Sequence, residues 1–163
     1  MAEFLFTTDA EMKSTTLLNG NVDPDKYKFS ISLAMDSVVE PLLGTELYDK
    51  IAAEAEANTL SGLYLTLYNE YVKPITKYAG LSEYLLIASY TLDNAGLFVR
   101  TPENAVSVDK EEAEFLASKY MSKATKYIGR FEKWIGLNPL TEYKHNQDGI
   151  DAQDIAPSAG WHF

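Results

Sequence analysis

Residues 61–92 read SGLYLTLYNEYVKPITKYAGLSEYLLIASYTL. Polar residues recur there at Thr66, Asn69, Glu70, Lys73, Thr76, Lys77, Gly80 and Glu83. The spacing follows the 3.6-residue period of a helix and marks one wet face. The other positions are apolar or aromatic, among them Tyr64, Leu67, Tyr68, Tyr71, Val72, Ile75, Tyr78, Leu85 and Leu86. Beyond Glu83, Ile87 and Tyr90 take over the wet positions. The pattern predicts a long helix whose first half lies on a surface and whose second half is buried all round. Pro74 removes one helical hydrogen bond, so a kink is expected between Glu70 and Pro74, in one bent helix or two coaxial ones. At ~1.5 Å per residue the stretch would span about 45 Å.

Upstream, Asp23-Pro24 is a helix start, because a carboxylate caps free N–H groups and proline fits the first helical position. Tyr27, Ile31, Ala34, Met35 and Val38 share one face of that helix, which is expected to stop before Pro41. In the segment 40–51, EPLLGTELYDKI, Gly44 ends a turn, Thr45 caps a new helix, and Leu47, Tyr48 and Ile51 point inward. This helix fades at Ala57-Asn58. Residues 1–21 carry Phe4-Leu5-Phe6, a cap at Thr8 or Asp9, a short helix through Lys13, Leu17-Leu18 and the turn signal Asn19-Gly20. So short a segment must pack on the body or on a neighbour.

Downstream, residues 93–108 read DNAGLFVRTPENAVSV. The runs Leu97-Phe98-Val99 and Ala105-Val106-Ser107-Val108 predict a small β-hairpin or extended arm over about 97–108, which would be marginal alone in water. Asp109 caps a last helix to about Ile135, with Ala113, Leu116, Tyr120, Ala124, Tyr127, Ile128, Phe131 and Trp134 facing inward. Gly136 and Pro139 finish it. Residues 137–163 are a polar tail without periodicity. The expected fold is all-α: a helical bundle over 1–136 built on the long kinked helix, with the arm at 97–108 and an extended C-terminal arm over 137–163. A cut after Pro139 is expected to leave that bundle intact.

With 163 residues the chain is long enough for one domain with its own core. A formal net charge of -10 argues against general nucleic-acid binding, which needs many cations to displace counterions from phosphates. The absence of cysteine removes disulfides, thiolate catalysis and cysteine-based zinc sites. Eleven tyrosines suit a core, or surfaces buried only on assembly. MAEFLFTTDAEMK has neither the basic start nor the apolar run of a signal peptide. No apolar stretch approaches the ~20 residues of a membrane span, so no membrane partner is expected.

Two constellations stand out. Lys119, Lys123, Lys126, Arg130 and Lys133 follow one another at helical spacing, so all five share a face of the last helix. Such a row is either a solvated surface or a contact for an acidic surface, which within a ring would be the neighbouring copy or, more weakly given the net acidity, DNA in the central channel. The tail is the second. Asp148, Asp151 and Asp154 keep it soluble and lack the order of a calcium loop. Yet it ends Trp161-His162-Phe163, and large aromatics are foreign to a disordered end. Trp161 and Phe163, with His162 between them, are anchors for a groove on a partner, with Ile150 and Ile155 adding strand-like or pocket contacts; otherwise the tail folds back on its own domain. Chemistry is poorly served. The two histidines, His145 and His162, both lie in the tail, no Ser-His-Asp set is available, and no phosphate-binding glycine loop occurs. No enzyme activity, cofactor or metal is expected.

The segments LFTTDAEMK, PLLGTELYDKI, LYNEYVKPITKYAGLSEYL and NAGLFVRTPENAVSV, in that order, resemble the head–tail connector (adaptor or head-completion) proteins of tailed bacteriophages. The similarity points in particular to the neck-ring proteins of crAss-like and related Bacteroidetes phages. It spans most of the folded body and leaves the final tail unmatched. The resemblance implies a virion protein of the neck, made in the host cytoplasm. Its copies would form a homo-oligomeric, usually twelvefold, ring beneath the portal protein. That ring would bind the portal and other neck or tail proteins and line the channel through which DNA passes without specific contact. It also implies that the extended loop and C-terminal arm contact portal and neighbours. Here those are Phe98, Val99, Val106 and Val108, and Ile150, Ile155, Trp161, His162 and Phe163. The alternative is a monomeric helical adaptor or regulator that binds its partner through the same tail.

Overall fold

The computed structural model describes residues 4–18, 22–88, 90–93, 96–99 and 110–144, and they are mostly helical. In chain order the elements are α1 (Asp9–Thr15), a 3-10 turn (Pro24–Lys26), α2 (Lys28–Ala34), a π turn (Met35–Val39), α3 (Glu40–Leu43), α4 (Thr45–Glu56), α5 (Gly62–Leu67), a second π turn (Tyr68–Val72), α6 (Lys73–Ile87), β1 (Tyr90–Asp93), β2 (Gly96–Val99) and α7 (Lys110–Leu137).

The N-terminal segment packs on the body. Thr8 and Glu11 form a reciprocal capping box, each side chain satisfying a backbone N–H of the other. Lys73 Nζ donates to Glu11 Oε1 at 2.7 Å, and Tyr27 donates its hydroxyl to Asp9. Phe6 is fully buried, with Phe4, Tyr48 and Tyr68 set edge-on around it. Burial pushes the Tyr68 phenol up to about 12, and its hydroxyl donates to the carbonyl of Phe6.

Both helical prolines are accommodated in the same way. A helical proline clashes with the carbonyl four residues back and offers no N–H. Immediately before Glu40-Pro41 the backbone widens into a π turn, in which Glu40 donates to Met35. Before Lys73-Pro74 it widens again, and Lys73 donates to Tyr68. The helix from α2 therefore passes through Pro41 into α3, where the sequence predicted a stop. It ends at Gly44, whose φ of +77° suits a residue without Cβ, and Gly44 rather than Thr45 sits at the cap of α4. Similarly, the helical path runs from Gly62 through Pro74 to Ile87.

The core forms where α2, α6 and α7 meet. Ala34, Ala79 and Ala124 touch, one from each helix. Beside them Gly80 lies against α2 so closely that an added Cβ would sit 3.1 Å from the Cα of Ile31. α6 and α7 run antiparallel: the Ser82 hydroxyl donates to the carbonyl of Ala117, while Tyr71 meets Phe131 and Trp134. The wet face expected on the long helix is thus interrupted. Thr76 is fully buried, its hydroxyl donating to the carbonyl of Val72, and Gly80 is the close approach to α2. Nor is the second half buried all round, since Leu86 and Ile87 are exposed and the deepest burial falls in the middle.

The long helix stops at Ile87, before the expected Leu92, and Tyr90–Asp93 becomes a strand. β1 pairs antiparallel with β2 in the register Tyr90↔Val99, Thr91↔Phe98, Leu92↔Leu97, Asp93↔Gly96. Among the described residues the Leu97–Val99 run pairs with the β-prone sequence before it, a pairing the sequence reading did not anticipate; the Ala105–Val108 run of the expected hairpin or extended arm lies outside the described residues. Aromatic and β-branched residues at Tyr90 and Thr91 suit a strand as well as a helix end. Phe98 and Val99 lie on β2, while Val106 and Val108 fall outside the described residues.

Past α7 the chain stays on the body as far as Lys144. Leu140 is buried, and Tyr143 packs edge-on against Phe131 at 5.6 Å. Tyr64 donates to Glu142 at 2.7 Å, Lys50 pairs with Glu142 at 3.1 Å, and Lys144 pairs with Glu46. Residues 138–144 form a strap tying the end of α7 to α4 and α5.

Candidate functional site

α7 is amphipathic over all its 28 residues. Ala117, Tyr120, Ala124, Phe131 and Ile135 are buried, and Leu116, Tyr127, Ile128 and Trp134 pack against the core. The opposite face carries Lys119, Lys123, Lys126, Arg130 and Lys133, and all five are exposed. Among the described residues none of the five is in an ion pair. Lysines elsewhere on the body, such as Lys13, Lys28, Lys50 and Lys73, have carboxylates within reach.

Aromatic rings position several of these cations. Tyr78 of α6 stacks between Tyr120 and Tyr127 of α7, at 6.2 and 5.8 Å between ring centroids. The Lys123 ammonium lies 4.9 Å from the Tyr120 centroid and 5.4 Å from that of Tyr78. Lys77 lies 4.8 Å from Tyr78, and the Arg130 guanidinium 5.1 Å from Tyr127. Lys119 rests on Phe115. Cation–π contacts at such exposed positions contribute about 0.5–1 kcal/mol, enough to bias where a long side chain points without neutralising it. Burial lowers the Lys77 ammonium from its ordinary value, Glu11 pulls it back up, and neighbouring Lys123 lowers it further. Lys77 thus extends the cationic face of α7 onto α6, a membership that periodicity within the long helix alone does not reveal.

Such a face attracts carboxylates or phosphates. It holds no general acid and base within reach of one another, and no group of three or more His, Cys, Asp or Glu side chains among the described residues is gathered to hold a metal ion. No helix among the described residues is long and apolar enough to cross a membrane. The other sequence-derived contact residues, Ile150, Ile155, Trp161, His162 and Phe163, fall outside the described residues, as does His145. The strap that leads to them is anchored on the body, and sequence periodicity passes it over. Its signal was the pair Leu140 and Tyr143, two large apolar side chains in an otherwise polar run.

The described residues thus form a mostly helical body with a cationic outer face on α7. Residues 39–151, more than half of the chain, match a family profile described as a family of unknown function (DUF6712), and the chain belongs to that family. No curated protein and no solved structure matches it.

Proposed function

We propose that the protein is a structural component of the neck of a tailed bacteriophage. In this reading it forms a homo-oligomeric ring, twelvefold as in the connector proteins it resembles, that joins the portal protein to the tail or to the next neck ring and surrounds the path of DNA. The observation that carries the reading is the face of α7: five exposed cations without carboxylate partners among the described residues, on a chain of formal net charge -10. A head-to-tail ring uses two different surfaces of each copy, and an acidic body with one cationic face supplies two unlike surfaces. The strap adds support. By fixing the chain as far as Lys144, it gives the segment 145–163 a defined point of departure from which Trp161 and Phe163 reach a partner. The arm around β2 and that C-terminal segment are the contacts with portal and neighbours, and neither requires catalysis or a cofactor.

Quantitative mass spectrometry of purified virions tests this directly. The expected result is a copy number equal to that of a neck ring and in fixed ratio to the portal. Absence from virions, with the protein monomeric in infected cells, would favour the adaptor alternative.

A further inference from the structure

The ring reading leaves open what the cationic face touches. Among the described residues, α4 presents an acidic outer face. Glu46, Asp49 and Glu56 are exposed there, with exposed Ala53 between the last two. At 3.6 residues per turn these four positions share one side of the helix, opposite buried Leu47, Ile51 and Ala55. The one lysine of α4, Lys50, is drawn off this face by Glu54 at 3.4 Å and Glu142 at 3.1 Å. Lys144 offsets Glu46 at one edge, while Asp49 and Glu56 have no cation paired with them among the described residues. The acidic run covers about 15 Å of helix and the cationic run about 21 Å. Ala53 leaves the middle of the acidic face flat, so another helix has room to approach.

We propose that the cationic face of α7 in one copy docks on the acidic face of α4 in the next copy. This rests on the ring assembly proposed above and names its two surfaces. The contact is heterologous, so it propagates from copy to copy and closes when the rotation permits. Opposite charges speed encounter, and like charges disfavour docking of α7 on α7 or of α4 on α4.

Charge exchange tests the pairing whatever the register of the two helices. Full-length protein carries Lys123→Glu with Lys126→Glu, or Asp49→Lys with Glu56→Lys, or all four changes. Association is followed by mass photometry and sedimentation over a concentration series, at low and high ionic strength. All four positions are exposed, and thermal melts check that each variant folds. Wild-type protein is expected to associate into discrete oligomers that salt weakens. Each double variant should associate about tenfold or more weakly, and the fourfold variant should recover, because its exchanged faces are again complementary. Three results overturn the pairing: wild-type protein monomeric at every concentration, double variants that associate like wild type, or a fourfold variant no better than the doubles. Anisotropy of a labelled DNA duplex covers the rival occupant. Binding lost in Lys123→Glu/Lys126→Glu, with association unchanged, would assign the face to phosphates. Association that behaves as proposed in a protein absent from virions would sink the neck reading and leave the contact standing.

Discussion

Ending the chain after Pro139 removes the strap, and ending it after Lys144 keeps it, so the two truncations measure what the strap contributes. Leu140 is 8% exposed, and burying a leucine stabilises by about 2 kcal/mol. Tyr143 is half-buried and meets Phe131 edge-on at 5.6 Å, which adds about 1–2 kcal/mol in burial and ring contact. The carboxylate of Glu142 sits near solvent, so its links to Tyr64 and Lys50 add little. Some of this area is already covered in a realistic unfolded chain, which leaves about 3 kcal/mol. For a domain of this size that corresponds to a melting midpoint lower by about 10 °C. Differential scanning calorimetry of 1–139, 1–144 and the full chain is the assay. The 1–144 protein should melt with the full chain, and 1–139 well below both. Coincident melting of 1–139 and 1–144 would refute the account of the strap and return the domain boundary to the end of α7.

Three further outcomes are expected. Gly80→Val should destabilise by about 2 kcal/mol or more, because its new atoms meet the backbone of Ile31, whereas Gly129→Ala, with nothing within 4 Å, should stabilise by roughly 0.5–1 kcal/mol in urea unfolding. Glu11 is raised by burial but brought below its ordinary value overall by Lys73 and by the backbone and hydroxyl of Thr8. A depressed carboxyl contributes stability above its unfolded value and loses it as pH falls through the folded one. Melting midpoints should therefore drop on acidification from pH ~5 downward, and Glu11→Gln should flatten that slope. Thr8→Ala removes the capping box and should cost about 1 kcal/mol by chemical denaturation.

The last helix was the most legible part of the chain. Its period holds over seven turns, so its inner face and its cationic row both follow from spacing. The long helix was legible in its start and in its passage through Pro74, less so in its end at Ile87 and in its burial. Thr76 and Gly80 count as polar in a pattern, yet a threonine that returns its hydroxyl to Val72 has no need of water, and a glycine in a helix seam is chosen for its lack of volume. Pro41 read as a stop because the rule for residues before proline assumes an ordinary α-turn, and a π turn lies outside that assumption. Tyr90-Thr91-Leu92 carried helix and strand signals at once, and pairing with Gly96–Val99 decided it. The strap left no periodic trace because it packs as irregular chain, through two side chains and a carboxylate. Within the cationic face, the contribution of Lys77 depended on a neighbouring helix, which no single-helix pattern contains.

The two π turns make chain length and side-chain direction separable. Each wraps an extra residue into a stretch that an ordinary α-helix would cover with one fewer. Loss of one residue between Tyr68 and Val72 would tighten that stretch to an α-turn while leaving Ile75, Ala79 and Gly80 aimed at the same neighbours. Loss of one residue a few turns later, inside α6, would swing every following side chain by about 100° and dismantle the seam with α2 and α7. Relatives that differ by a single deletion are therefore expected to carry it ahead of the prolines, and to have exchanged the proline for a residue that an α-turn accepts.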